Sequence, residues 1–333
     1  MRNSNATFSD FGCYDAAAGA PPTRLDRHLT SNYNKKNLPF HLSSFCLTIW
    51  KFMNGQKERK AAIEYFIEKM PSLSTTTGKV LEICSRADTS PNELNRVVAL
   101  DPVLTGQVLK LINSAYYSLV NKVTSLTRAI TMLGMNTVKN MALSTAVIRA
   151  VAGAKKSQAL PITKFWKHSL AVGVAAKLLA TAREIPVNER EELFVAGLLH
   201  DLGKVPFGDE YIVALREARE NQRSLVEVEN EMLGMNHQEV GRLIADKWKL
   251  NEVITSGISH HHDGEIPSDK VALVALADVF VNIHEIGNAG NAFPPEEDLG
   301  RLLAALSMDI GGLRLLSEQL LAEIHRAEIF LQL

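Results

Sequence analysis

Histidine and aspartate stand side by side at His200-Asp201, directly after the apolar run 193–199 and just before Gly203-Lys204. Imidazole nitrogen with carboxylate oxygen suits a hard or borderline divalent ion such as iron, manganese or zinc. Adjacent residues of a helix point about 100° apart, so the two side chains can approach one ion only near a helix end. Gly203 would let the chain turn there, and Lys204 would place a cation close by. Such a pair can also simply cap a helix, so its weight depends on other donors. Four further places offer them: His168, His237, the run His260-His261-His262, and Asp278. Asp278 is the sharpest, because it interrupts Leu276-Ala277-Asp278-Val279-Phe280. A carboxylate inside an apolar helix costs about several kcal/mol unless it is paired, protonated or bound to metal. Taken singly, His168 reads equally as a core histidine beside Trp166, and His237 as a polar residue at a helix start. The triple histidine reads equally as a solvated helix end.

The elements that must position these donors read as helices. Ile63, Phe66, Ile67 and Met70 recur at helical spacing, and Pro71 ends that segment. A second helix is predicted over 79–87. Ser90-Pro91-Asn92-Glu93 reads as a capping box with proline at the first helical position, and Asp101-Pro102 caps the helix after it. Leu126, Ile130 and Leu133 form a face that stops at Gly134, and 136–151 follows in register. The polar stretch 153–161 reads as a linker. Beyond it, helices are predicted over 162–184, from Asn188 to His200-Asp201, from a Ser224/Glu227 capping box to 233, and from Asn236 through His237 to Trp248. Asn251 starts the helix leading to the histidine run, and 269–286 carries Asp278. Leucines at 299, 302, 303, 306, 313, 315, 316, 320 and 321 mark closing amphipathic helices, whose stripe is core or an oligomer seam that would allow a homodimer. No segment sustains an alternation of period two. The expected architecture is an all-α, two-lobed helical bundle. Its expected parts are a disordered extension over 1–55, a lobe over 56–152, a second lobe over 162–286 that carries the candidate donors and closing helices over 296–333. Met53 immediately precedes the first clear helical period and is a candidate start of translation.

Composition narrows the function classes. Of 333 residues 46% are hydrophobic, enough for a sizeable core, and 36 Lys+Arg nearly balance 37 Asp+Glu. That balance argues against a nonspecific nucleic-acid binder. Cys13, Cys46 and Cys84 form no CxxC pair, which points to a reducing compartment and a cytoplasmic location. No apolar run reaches the roughly 20 residues needed to span a bilayer.

The order His168, His200-Asp201, His237, His261-His262, Asp278 resembles the HD superfamily of metal-dependent phosphohydrolases. The fuller pattern resembles the HDOD domain, a regulatory relative of the HD-GYP phosphodiesterases. Asp101-Pro102, Asn113-Ser114, Tyr116-Tyr117, Ala129-Ile130 and Leu133-Gly134 carry it in the first lobe. Trp166-Lys167-His168-Ser169, Gly197-Leu198-Leu199-His200-Asp201, Glu231 ahead of His237, Val240-Gly241, Trp248 and Ala277-Asp278 carry it in the second.

The resemblance implies that His168, His200, Asp201 and Asp278 are metal ligands, with Asp201 bridging to a second ion on His237, His261 and His262. The mixed imidazole and carboxylate set points to iron or manganese before zinc or magnesium. The resemblance gives Lys204 the role of a phosphate-facing cation beside Asp201 in any active relative. Glu231 then either orients a histidine or stands in solvent. The sequence lacks a Gly-Tyr-Pro element after His262, so cyclic di-GMP is not the implied substrate. Lys164 stands one turn before His168 where trinuclear members carry glutamate, so a third metal is not implied either. Two functions remain open: a signalling module with protein partners, or a phosphohydrolase acting on a phosphate-bearing small molecule.

Overall fold

The computed structural model describes residues 42–84, 86, 88–114, 119–152, 159–290 and 296–328. Expectations for 1–41, for Tyr116-Tyr117, for most of the 153–161 linker and for 291–295 lie outside the described residues. The chain divides into two units, Met1–Met53 and Asn54–Leu333, and every candidate site residue lies in the second.

The described residues are helical, with no strand among them. Helix α1 spans Leu42–Lys69. It begins well before the expected start near 56 and runs through Met53. Leu42, Phe45, Cys46, Ile49, Trp50 and Met53 do recur at helical spacing, a period masked by the interleaved serines and threonine. Helices α2 (Thr75–Cys84), α3 (Pro91–Val98), α4 (Pro102–Ile112), α5 (Leu126–Leu133) and α6 (Met135–Ala152) follow. The start of α2 moves upstream of 79 because Ser74 Oγ accepts the Thr77 N–H at 3.1 Å. Asp101 caps α4 through the Leu104 N–H at 2.9 Å, with Pro102 at the first position. Ser90 accepts from the Glu93 N–H, whereas the Glu93 carboxylate turns outward to Arg86. That start has the cap but not the reciprocal bond of a box.

Then come α7 (Ile162–Ala182), α8 (Val187–Leu199), a three-ten helix over Leu202–Glu210, and α9 (Tyr211–Glu220). Helices α10 (Leu225–Leu233), α11 (His237–Lys247), α12 (Glu252–His260) and α13 (Asp269–Ile283) complete the part that holds the candidate site. Helices α14 (Glu296–Ala305) and α15 (Ile310–Ala327) follow. Neither the three-ten segment nor α9 stands out in the periodicity. At α11 the box is complete: Asn236 accepts from the Glu239 N–H at 2.9 Å, and Glu239 accepts from the Asn236 N–H at 3.3 Å. At Ser224 the predicted box is absent, since its side chain makes no capping bond, while Val228, Glu229 and Leu233 of α10 are buried.

Helices α7 and α13 form the centre. Residues 271–281 of α13 are buried without interruption, so the helix has core on every side. Helices α7 and α8 cross with their backbones touching at Gly173 and Gly197. A Cβ on Gly173 would sit 2.6 Å from the Phe194 carbonyl oxygen, and one on Gly197 would sit 2.8 Å from the Gly173 Cα. This crossing sets His168 and His200, one on each helix, within reach of one point. Of the closing leucines, Leu302, Leu303, Leu306, Leu313 and Leu320 are core, while Leu315 and Leu321 are exposed. No described helix is long and apolar enough to cross a membrane.

Candidate metal centre

Each donor sits where its element can aim it inward. His168 projects from the second turn of α7, and Asp278 from the middle of α13. His200 is the C-cap residue of α8 and Asp201 follows it, so the helix ends where two adjacent side chains can converge. His237 is the first residue of α11. His261 is the C-cap residue of α12, with His262 next. The glycine after Asp201 acts differently from expectation. Gly203 has no left-handed φ. It is needed because a Cβ there would overlap the His237 carbonyl oxygen and crowd the Gly241 N–H, so backbone meets backbone. That contact brings the His200-Asp201 segment against the start of α11.

The donors fall into two groups whose ligand atoms each lie within 4.8 Å of one another: Asp201, His237, His261 and His262, and His168, His200 and Asp278. Asp201 lies between them. Its Oδ1 is 3.5 Å from His237 Nε2 and 3.7 Å from His261 Nε2, and its Oδ2 is 3.2 Å from His200 Nε2 and 3.8 Å from His168 Nε2. Asp278 Oδ1 is 3.0 Å from His168 Nε2 and 3.5 Å from His200 Nε2. All of these side chains are buried except His262, which is half-buried.

The other ring nitrogens are anchored. His200 Nδ1 bonds the Gly197 carbonyl at 2.7 Å, and His261 Nδ1 bonds the carbonyls of Gly257 and Ile258 at 3.1 and 3.0 Å. His237 Nδ1 meets Glu229 Oε2 at 2.6 Å. In all three the Nε2 faces the centre, as outer hydrogen bonds arrange it in metal-binding histidines. Buried polar atoms ordinarily find partners. Yet His168 Nε2, His200 Nε2 and Asp201 Oδ1 find no partner in full hydrogen-bonding geometry among the described residues, although ion-pair contacts of 3.0–3.8 Å join these side chains to the complementary atoms of the site. The ligand atoms converge within 4.8 Å of one another in each group, as donors do around an ion. The mixed imidazole and carboxylate set fits a divalent metal.

The electrostatics agree with the geometry. Burial opposes charge on Asp201, but His200 and Lys204 hold its carboxyl well below the usual range. Asp278 is likewise held low against burial, by His168 and His200. Burial would lower His200, but Asp201 and Asp278 raise it to about 10. Burial pushes His261 down to about 4, and burial with His261 and His237 nearby keeps His262 well below the ordinary value. The centre therefore combines ionised carboxylates at Asp201 and Asp278 with neutral imidazoles at His261 and His262, and without an ion it holds a proton on His200.

Lys204 is fully buried, with Nζ 2.7 Å from Asp201 Oδ2. It faces a site carboxylate rather than merely the carbonyl end of α8. His260 stays outside, its Nδ1 on Asp263 Oδ2 at 2.7 Å.

The pattern residue Glu231 does not orient a histidine. It is exposed and binds Arg223. Glu229 contacts His237 in its place, and Asn282 Nδ2 donates to Asp278 Oδ1 at 2.8 Å. Glu229 was detectable in principle. Leu225, Val228 and Met232 set an apolar face on α10 at helical spacing, and Glu229 falls on it as Asp278 falls on α13.

The HDOD domain profile matches residues 70–264, and the chain belongs to the HDOD domain family. An HDOD domain protein of unknown function from Geobacter sulfurreducens superposes with a TM-score of 0.66 at 25% identity, over 82% of this chain and 98% of that one. A protein from Shewanella amazonensis, named by inference as a phosphohydrolase, gives 0.62 at 24% identity, over 81% and 97%, and shows the shared fold. An uncharacterised protein of Treponema pallidum is 26% identical over 210 residues, 61% of this chain but only 39% of that protein's length.

Proposed function

We propose that this HDOD chain is a signal-transduction module whose helical core holds one or two divalent ions, iron or manganese before zinc or magnesium. The observation that carries this reading is the convergence of buried histidine and aspartate ligand atoms, within 4.8 Å of one another in each group, with Asp201 lying between the two groups. Asp201 would bridge, with His168, His200 and Asp278 on one side and His237, His261 and His262 on the other. A bound ion would supply Lewis acidity and a lowered pKa for coordinated water. The chain's own residues favour retention of an ion over turnover. Every donor but His262 is buried, so a substrate would have to enter past that one side chain. The output would pass to protein partners through the helices that the ion ties together.

A phosphohydrolase reading is favoured by one feature, the buried Lys204 beside Asp201. A cation there could face a phosphoryl oxygen of a nucleotide or phosphodiester other than cyclic di-GMP. Metal analysis of protein purified without chelators, with a hydrolysis assay over generic phosphodiesters and nucleotides, tests both readings. The expected result is bound metal and no metal-dependent hydrolysis. If the protein does hydrolyse, Lys204→Ala would keep its metal and lose on the order of a hundredfold or more in turnover. That outcome would replace the signalling reading with the enzyme. Protein without metal, and without thermal stabilisation by added iron, manganese or zinc, would end both.

A further inference from the structure

We infer that Glu229 and Tyr211 act as positioning residues that fix which nitrogen of His237 faces the centre and strengthen it as a donor. The inference rests on the proposal that the centre holds metal. Tyr211, Glu229 and His237 are completely buried. Glu229 Oε2 accepts from the His237 backbone N–H at 2.9 Å and from His237 Nδ1–H at 2.6 Å, while Oε1 accepts from the Tyr211 hydroxyl at 2.5 Å. One carboxylate thus takes three hydrogen bonds, two of them from the residue it orients. The backbone bond also satisfies an N–H at the first turn of α11 that no helical carbonyl can reach.

The consequence is an asymmetry within the centre. His200 and His261 are held by neutral backbone carbonyls, which orient a ring. His237 is held by a carboxylate, an anionic acceptor that grips the ring more strongly than a neutral carbonyl does. That Nε2 lies 3.3 Å from His261 Nε2 and 3.5 Å from Asp201 Oδ1. Glu229 therefore acts on the group Asp201, His237, His261 and His262, and not on His168, His200 and Asp278. Tyr211, the first residue of α9, ties that group to a segment that contributes no donor of its own.

The test compares wild type, Glu229→Gln and Tyr211→Phe by calorimetric titration with Mn2+, alongside thermal unfolding and ring-nitrogen NMR of His237 in metal-free protein. Glu229→Gln keeps the size and hydrogen-bonding reach but removes the charge. Its affinity for Mn2+ is expected to fall about 10–100-fold. Tyr211→Phe should shift affinity in the same direction by less, and it carries the measurement if Glu229→Gln does not fold. In metal-free wild type, His237 Nδ1 should bear the proton and Nε2 should be bare. Variants that lower the unfolding temperature while Mn2+ affinity stays unchanged would make the pair merely structural and overturn the inference. If wild type takes up no Mn2+, the metal reading fails, and the His237 ring spectrum still decides: a proton on Nε2 instead of Nδ1 overturns the inference by itself.

Discussion

At the scale of the residue, the centre is a problem of burying charge. Asp201 and Asp278 are both buried, and a buried carboxylate is tolerated only with cations or donors around it. Lys204 at 2.7 Å from Asp201, Asn282 at 2.8 Å from Asp278, and a protonated His200 meet that need without an ion. Removing one member leaves the rest unbalanced. Asp278→Ala is expected to cost the metal-free protein about 3–5 kcal/mol, because it strips the partner from His168 and His200 in the core. Chemical denaturation of chelator-treated protein would measure this. A variant as stable as wild type would mean that the carboxylate is not held by its neighbours.

Individual helices place the donors through two close backbone approaches. The α7–α8 crossing depends on Gly173 and Gly197, and the meeting of the three-ten segment with α11 depends on Gly203. A methyl at Gly197 would fall 2.8 Å from the Gly173 Cα, where only a backbone shift can relieve it. Gly197→Ala is therefore expected to destabilise by about 1–3 kcal/mol or more, although alanine favours helix. The same shift would move His200 away from His168 and weaken metal binding. An unfolding temperature equal to that of wild type would show that the two helices have room to part.

Across the whole molecule, the donors come from α7, α8, α11, α12, α13 and the turns after α8 and α12, so an ion would act as a staple among helices distant in sequence. The end of α1 and Pro71 just beyond it are tied to the same body: Lys247 Nζ donates to the carbonyls of Ile67 and Glu68 at 2.7 Å, and Trp248 Nε1 to that of Pro71 at 3.2 Å. Ligand that binds only the folded state stabilises it by mass action, about 2.7 kcal/mol at a hundredfold excess over Kd. Chelation should thus lower the unfolding temperature of the entire body in one transition, and Mn2+ or Fe2+ should restore it. A transition indifferent to chelator would argue that no ion joins these helices.

For the histidines the sequence offered only a family resemblance, but by itself it determined the helical class, most helix starts and the singular position of Asp278. Those depend on local rules: period 3.6, an oxygen-bearing cap before proline or an apolar run, and the misfit of Asp278 in an apolar helix. Its failures share a physical cause. The start of α1 was hidden because interleaved polar residues obscured a real period, and at Ser224 the residue types of a box are present but the backbone does not bring the side chain into a capping bond. Glu231 matched a pattern, but the turn of α10 on its neighbours buries Glu229 and leaves Glu231 in solvent. Gly203 looked like a turn residue, although its purpose is a contact with α11, which lies more than 30 residues further along the chain. Which oxygen of Asp201 faces which histidine, and which glutamate reaches His237, are set by contacts between residues far apart in sequence. Such contacts exist only once the helices have packed, so the tertiary structure alone decided them.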